Sequence, residues 1–283
     1  MARDGYKVFV VYFSPAGSTR HVARVMEKRF KELGIEPSLF DLAENRELSR
    51  VISEQFRGDS CLIVGSPVYV SHAAPPIMQF IAGLTPVTAA SAVPFVTWGG
   101  ASSGIALFEM AKELQKTGFN ILGAAKVMAV HCLMWQLEDP LGEGHPDSED
   151  VRMVEELIDE INRKMQSHSS EGIDLSDLAY QKEEIHAEME KMSLEIAKAH
   201  MPMRRVDEEL CNKCEICAEV CPTAAVAFAP YPTFGENCIY CFSCMRNCPE
   251  GAINADLSEI WQRIRDRAEF FKERPYTKIF LPS

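Results

Sequence analysis

The sequence predicts an α/β chain: a doubly wound parallel five-stranded sheet followed by a small α+β domain. Three observations carry this expectation. Short apolar runs alternate with amphipathic helical patterns through the first part of the chain. Eight of the ten cysteines fall between Cys211 and Cys248, which divides the chain by composition alone. The length of 283 residues suits two domains at roughly 100 to 200 residues each.

The elements follow in order. Residues 6–13 (YKVFVVYF), 60–65 (SCLIVG), 92–97 (AVPFVT) and 121–130 read as strands buried on both faces. Residues 36–42 read as an edge strand, because Pro37 lacks a ladder donor. Val22, Val25, Met26, Phe30 and Leu33 repeat at helical spacing, with Gly34 as the stop. Leu107, Met110, Ala111 and Leu114 repeat the pattern up to Gly118, and Val151, Val154, Leu157, Ile158, Ile161 and Met165 form a third stripe behind the capping candidates Asp147 and Ser148. Residues 176–199 read as one connecting helix, and Leu257, Ile260, Trp261, Ile264, Ala268 and Phe271 as a last amphipathic helix. The expected boundaries are 1–168 for the α/β domain, 169–203 for a helical linker, 204–256 for the cysteine-rich domain and 257–283 for a C-terminal helix and tail.

Composition excludes several classes of function. A hydrophobic fraction of 47% with 25% charged residues is that of a globular protein, not a disordered one. The formal net charge of −12 has the wrong sign for a nucleic-acid partner. The longest apolar stretch, residues 121–135, is interrupted by Lys126 and His131 and is shorter than the roughly 20 residues a spanning helix needs. Residues 1–7 have no leader-like pattern, so a cytoplasmic location is expected. In a reducing compartment clustered cysteines point to metal or redox chemistry instead of disulfides.

Cys211, Cys214, Cys217 and Cys221-Pro222 have the spacing C-x2-C-x2-C-x3-C-P, and Cys238, Cys241, Cys244 and Cys248-Pro249 repeat it 27 residues later. Three thiolates from a tight loop reach three irons of one cubane, and the fourth, turned away by proline, serves the other cluster. The expected assignment is therefore crossed: Cys211, Cys214, Cys217 and Cys248 for one [4Fe-4S] cluster, and Cys238, Cys241, Cys244 and Cys221 for the second. Zinc, which favours four ligands in two pairs, fits this spacing poorly. The segment resembles the bacterial 2[4Fe-4S] ferredoxins.

Directly after the first strand come Ser14, Pro15, Ala16, Gly17, Ser18 and Thr19, entering a helix. Unpaired N–H groups and the helix dipole at such a turn suit a phosphate. The dinucleotide fingerprint and the P-loop lysine are both missing, so a mononucleotide fits better. The loop resembles the flavodoxin phosphate loop, with Ala16 where a threonine is usual. Pro67, Val68 and Tyr69 follow the third strand, and Trp98, Gly99, Gly100 and Gly104 follow the fourth. An aromatic covers a flavin face, and glycines admit its edge.

Together with residues 144–150 (GHPDSED), these motifs resemble the flavodoxin/2[4Fe-4S] ferredoxin fusion proteins. The resemblance implies a flavodoxin-like domain holding FMN, a clostridial-type ferredoxin domain holding two [4Fe-4S] clusters, and electron transfer. A low-potential donor such as ferredoxin would feed the clusters, and FMN would reduce a small organic substrate. The alternative is a non-enzymatic carrier or adaptor docking on a larger redox complex. Basic residues of the last helix, including Arg263, Arg265 and Arg267, with Arg204 and Arg205, are candidates for a docking patch. His72 and His131 are candidate proton donors. Cys61 and Cys132 read as packing residues, because no base partner is evident. Transfer across a homodimer is an alternative to transfer within one chain.

Overall fold

The computed structural model describes residues 6–45, 47–56 and 59–282, without the side chains of residues 50 and 51. Residues 1–5, read above for a leader, lie outside the described residues. Five parallel strands form the central sheet: Lys7–Tyr12, Ser38–Asp41, Ser60–Tyr69, Ser91–Trp98 and Ala124–Met128. Numbered by sequence, their spatial order is 2-1-3-4-5, the flavodoxin-like doubly wound arrangement. In that arrangement ligands bind at the carboxyl ends of the strands, where the strand order reverses.

The first strand shows why the sheet is covered on both sides. Val8, Val10 and Tyr12 join one buried cluster with Val22, Met26 and Phe30 of helix Ser18–Glu32 and Val154, Leu157 and Ile161 of helix Ser148–Gln166. Phe9, Val11 and Phe13 face the opposite cluster, with Ile77 and Phe80 of helix Pro75–Ala82 and Leu107 and Met110 of helix Ala106–Lys116. Each fully buried side chain of this size contributes about 1.5–3 kcal/mol. Asp147 caps its helix through a capping box with Asp150, as the sequence suggested at that position.

Three parts of the chain differ from the sequence expectation. The edge strand begins at Ser38, so Pro37 stays outside the ladder. The fifth strand is interrupted: Ala92 pairs with Ile121 but Phe95 with Ala125, so one extra residue bulges at Leu122–Gly123. Residues 176–199 are not one helix. They form Leu175–Leu178, Glu183–Glu190 and Leu194–Lys198, the first and last started by the side-chain caps Asp174 and Ser193.

The tail supplies an element that its short apolar run did not announce. Lys278–Phe280 pairs antiparallel with Ala124–Met128 and extends the sheet. Ile173, Leu178 and Phe280 all belong to the core of the α/β unit, and Tyr180 stacks on Phe280 at 5.4 Å. The segments 169–203 and 257–283 thus pack on the α/β unit as well as joining domains.

The cysteine-rich region is a duplicated unit in space. Helices Ile216–Glu219 and Ser243–Arg246 recur at the 27-residue offset. Lys213 and Glu215 have positive φ, as do Tyr240 and Phe242 at the matching positions. The strands exchange partners between copies, Arg205–Val206 with Ile253–Asn254 and Val226–Phe228 with Pro232–Phe234.

A buried ion pair fastens the tail. Lys126 Nζ lies 2.5 Å from Glu273 Oε1, with side chains 3% and 10% exposed. The ammonium also faces the rings of Trp98, Tyr180 and Tyr276 at 5.0, 4.7 and 4.8 Å. Glu273 further accepts the Ser103 N–H at 2.8 Å and a Gln181 amide bond at 3.1 Å. Burial pushes its carboxyl up, but Lys126 and the Ser103 bonds outweigh this and hold it below the ordinary value.

Glu273→Ala strands a buried ammonium and is expected to destabilise the fold by about 3–5 kcal/mol. Arg265→Ala, which breaks a more exposed pair with Asp139, is expected to cost about 0–1 kcal/mol. Urea unfolding followed by tryptophan fluorescence distinguishes them. Because the folded Glu273 carboxyl lies below its ordinary 4.5, its contribution is complete above that pH. It is lost as pH falls through the lower folded value, so equal acid sensitivity of wild type and Glu273→Gln would contradict the assignment.

Candidate functional site

The loop Ser14–Thr19 sits at the carboxyl end of the first strand. Gly17, at φ 97°, adopts a left-handed conformation that turns the chain into helix Ser18–Glu32. Ser14 Oγ accepts the Arg20 N–H at 2.9 Å, and Gly17 O accepts that of His21. The N–H groups of Gly17, Ser18 and Thr19 have no hydrogen-bond partner among the described residues. Thr19 Oγ1 is fixed 2.7 Å from Thr97 Oγ1, which ties the loop to the fourth strand. Free N–H groups, hydroxyls and a helix N-terminus form a donor set suited to a phosphate.

A crevice runs from this loop between the ends of the third, fourth and fifth strands. Ser14, Ala16, Ser18 and Thr19, then Pro67, Val68 and Tyr69, then Trp98, Gly99 and His131 all line it. Sequence reasoning missed Thr97, Ala129 and Val130 as further wall residues. The crevice holds about 50 Å³. Val68, Tyr69, His131 and Cys132 also border a neighbouring cavity of about 810 Å³, so the two spaces share a wall. Tyr69 Oη and Trp98 Nε1 are buried without a hydrogen-bond partner among the described residues. Both residues line the crevice, and buried polar atoms of this kind call for a hydrogen-bond partner.

Several expected site residues have other roles. Gly104 lies where a Cβ would stand 2.0 Å from Ser71 O, so its packing is against the turn after Tyr69 and not against the crevice. Gly100 likewise approaches Met128 and Leu141. Gly99 does border the crevice, and a Cβ there would meet the His131 side chain at 2.7 Å. His72 is outside the crevice: Nδ1 pairs with Glu109 at 2.9 Å, and Nε2 lies 2.8 Å from Met192 O. Both ring nitrogens are occupied, and since Nε2 also lies 3.0 Å from Met189 O, His72 positions the end of the middle linker helix instead of serving as a proton donor.

His131 is in place but has the wrong charge for an imidazolium acid. Burial, with a smaller effect of Arg267, pushes it down to about 4. Its Nδ1 accepts the Leu133 N–H at 3.3 Å, which leaves the proton on Nε2. Burial also raises the Cys61 thiol, to about 12, and the Cys132 thiol, and both behave as packing residues. The histidine and acids of the GHPDSED segment are spent locally: Asp150 accepts from His145 at 2.6 Å and from the Asp147 N–H at 2.7 Å.

The cysteine-rich region is docked on this crevice. Ser243 Oγ donates to Pro15 O at 2.6 Å, and Arg246 Nη2 donates to the same oxygen at 2.9 Å. Arg246 Nη1 donates to Cys132 O at 3.0 Å, and its guanidinium lies 5.3 Å from the Trp135 ring. One helix of the second cysteine run therefore holds both walls of the crevice. Tyr69 packs in the cluster containing Ile239 and Cys241. In the duplication Ser243 replaces Ile216 and Arg246 replaces Glu219, and that departure from the repeat was the available sequence signal.

Cys211, Cys214, Cys217 and Cys248 line one small cavity, so the first run and the last cysteine converge. Among the described residues no three cysteine sulfurs lie within 4.8 Å of one another. Four thiolates on one zinc at about 2.3 Å would be closer than that, so this donor set suits a larger centre. Arg204 does not belong to an exposed basic patch. It stacks over Phe234 at 3.9 Å and reaches Cys244 Sγ at 3.7 Å. Arg267 also turns inward, and Arg265 is paired with Asp139, so the expected docking patch is dispersed.

Parts of the chain are similar to known proteins. Residues 204–227 match the family of 4Fe-4S binding domains. An uncharacterized polyferredoxin-like protein of Methanocaldococcus jannaschii is 35% identical over 91 residues, 27% of this chain and 53% of that protein. The chain thus spans about half the length of that curated relative. Among solved structures, rubredoxin oxygen:oxidoreductase from Desulfovibrio gigas aligns with TM-score 0.46 and 22% identity over 57% of this chain and 36% of that one. An archaeal flavodoxin aligns with TM-score 0.40 and 18% identity over 56% and 99%.

The chain combines a doubly wound sheet of flavodoxin-like strand order with a segment that matches the 4Fe-4S binding domain family. Its 4Fe-4S binding region supports an electron-transfer role. Among the described residues no helix is long and apolar enough to cross a membrane.

His131 is expected to remain neutral from pH 5.5 upward and to titrate near pH 4. Nitrogen-15 NMR of the labelled imidazole reads this directly, and a midpoint between 6 and 7 would contradict the burial assigned to it.

Proposed function

We propose that the chain is an iron–sulfur flavoprotein reductase, in which single electrons from a low-potential donor such as ferredoxin pass by two [4Fe-4S] clusters to FMN, for reduction of a small organic substrate. In this reading Ser14, Ser18, Thr19 and the free N–H groups hold the FMN phosphate, and Tyr69, Trp98 and Gly99 border the ring. Cys211, Cys214, Cys217 and Cys248 ligate the first cluster, and Cys238, Cys241, Cys244 and Cys221 the second. Bound FMN supplies conversion between one-electron and two-electron transfer.

The observation that carries this reading is the bracket from Ser243 and Arg246 to the carbonyls of Pro15 and Cys132. It joins the second cysteine run to the crevice within one chain, so a dimer is not required for the route. The outer run is the natural entry, since Cys214 is exposed whereas Cys238, Cys241 and Cys244 are buried. Its rim carries exposed Glu208, Glu209, Glu215 and Glu219 against Lys213. That charge balance favours a donor with a basic docking face over a uniformly acidic one. The 810 Å³ cavity beside the crevice favours the reductase over the carrier reading, because a carrier needs no ligand-sized space next to its flavin. The reducing cytoplasm remains the expected compartment for so many free thiols.

The experiment is anaerobic reduction of the reconstituted protein, followed by absorbance and EPR. Two cubane signals and a flavin that reduces after them are expected; flavin that stays oxidised beside reduced clusters would sink the internal route. Cys248→Ser should abolish the signal of the first cluster and Cys221→Ser that of the second. An assignment by sequence run alone gives the reverse result. Arg246→Met removes charge-assisted bonds to two carbonyls, each about 1.5–3 kcal/mol. It is expected to slow flavin reduction in stopped flow while both EPR signals persist.

A further inference from the structure

The cavity of about 810 Å³ beside the crevice has so far no assigned occupant. It lies where the linker helices and helix Ser258–Phe271 meet the mouth of the crevice. Its walls are mainly apolar, with Leu194, Met201, Ile260 and Ile264 inside and Ile196 and Phe270 at the rim. The last two are 59% and 66% exposed, which is unusual for large apolar side chains unless something passes or covers them. A volume of about 810 Å³ is in the range of small-molecule sites.

One cation in this wall lacks an anion. Arg267 Nη2 donates to Ser71 Oγ at 3.1 Å, and both terminal nitrogens lie 3.4 Å from Met192 Sδ. Its guanidinium also faces the Phe271 ring at 5.2 Å. Among the described residues it makes no ion pair within 4.0 Å, whereas Arg263 pairs with Glu259 and Arg265 with Asp139 on the same helix. Burial pulls Arg267 below its ordinary value with no acid to oppose it.

The charges around the cavity show the same imbalance. Lys191, Arg263 and Arg267 line it against Glu188 and Asp266. Glu188 is engaged by Lys191 at 2.6 Å, and Asp266 accepts from Gln262 at 2.7 Å. In a chain with a net charge of −12, an unopposed guanidinium inside an apolar cavity is a specific feature. A charge withdrawn from water without a partner is unfavourable, and a planar guanidinium is matched by a carboxylate through two parallel bonds.

We propose that this cavity binds an apolar carboxylate, its hydrocarbon against the Leu194, Ile260 and Ile264 wall and its carboxylate paired with Arg267. A carboxylate is favoured over a phosphate because the wall offers a single excess positive charge. The proposal deepens the reductase reading by naming its substrate class, since the cavity shares Val68, Tyr69, His131 and Cys132 with the crevice. His131 Nε2–H is the neutral donor on that shared wall.

The test is calorimetric titration of the cofactor-loaded protein with cinnamate and octanoate, each against its methyl ester and its alcohol. The acids are expected to bind at least about tenfold more tightly than the neutral analogues at low salt. Arg267→Gln should erase that preference while leaving the alcohols unchanged, and Arg267→Lys should retain part of it. Arg263→Gln, on an exposed position, should keep the preference. Equal affinity for acid and ester in the wild type overturns the proposal without any variant, so misfolding of Arg267→Gln cannot shelter it. A preference that survives Arg267→Gln in a folded protein overturns it as well. Flavin content is read by absorbance in the same samples. A preference without bound flavin sinks the FMN reading alone, whereas bound flavin without a preference sinks this proposal alone.

Discussion

The Arg246 guanidinium is where two folds become one protein. Its donors take the carbonyls of Pro15 and Cys132, which lie on opposite walls of the crevice. Backbone carbonyls at strand ends are polar groups that must find donors when covered. Here the donors come from a helix only four residues long, carried between two cysteines. The loop Ser14–Thr19, the loop after the fifth strand and the second cysteine run are therefore held by one side chain. Ser243, bonded to the same Pro15 oxygen, makes the contact specific in orientation as well as in place.

A second fastening acts from the opposite end of the chain. The tail strand and the Glu273 carboxylate reach the fourth and fifth strands, and Lys126 lies under three aromatic rings. The C-terminal helix is thereby fixed across the cavity mouth. The residues that cover the crevice, Trp98 included, are supported from below by this pair. Binding surface and buried charge thus share a single support.

Much of this was legible in the sequence. Strand and helix periods mark the doubly wound sheet because a parallel strand covered on both faces must be apolar at every position, as Val8 to Phe13 are. The turn from the first strand into helix Ser18–Glu32 is legible because Gly17 supplies the positive φ that it needs. What escaped depends on tertiary contact. Lys278–Phe280 is too short to signal a strand and becomes one through its neighbour. The linker helices break at residues 179–182 and 191–193, and at the second break the Ser193 side chain takes the Ile196 N–H to start the last helix. His72 looked like a candidate at the site by position, but Glu109 and the Met192 carbonyl claim it from elements distant in sequence. Arg267 looked like surface charge in a mixed helix, and only the fold shows it facing inward.

The duplication of the cysteine unit has one more consequence. Two copies related by a pseudo-twofold exchange of strands have no intrinsic front or back. Substituting Ser243 for Ile216 and Arg246 for Glu219 in one copy breaks that equivalence. The altered copy is sealed against the crevice, and the other keeps Cys214 open to solvent. A repeated scaffold is thereby made asymmetric: two side chains decide which copy faces the crevice and which faces solvent.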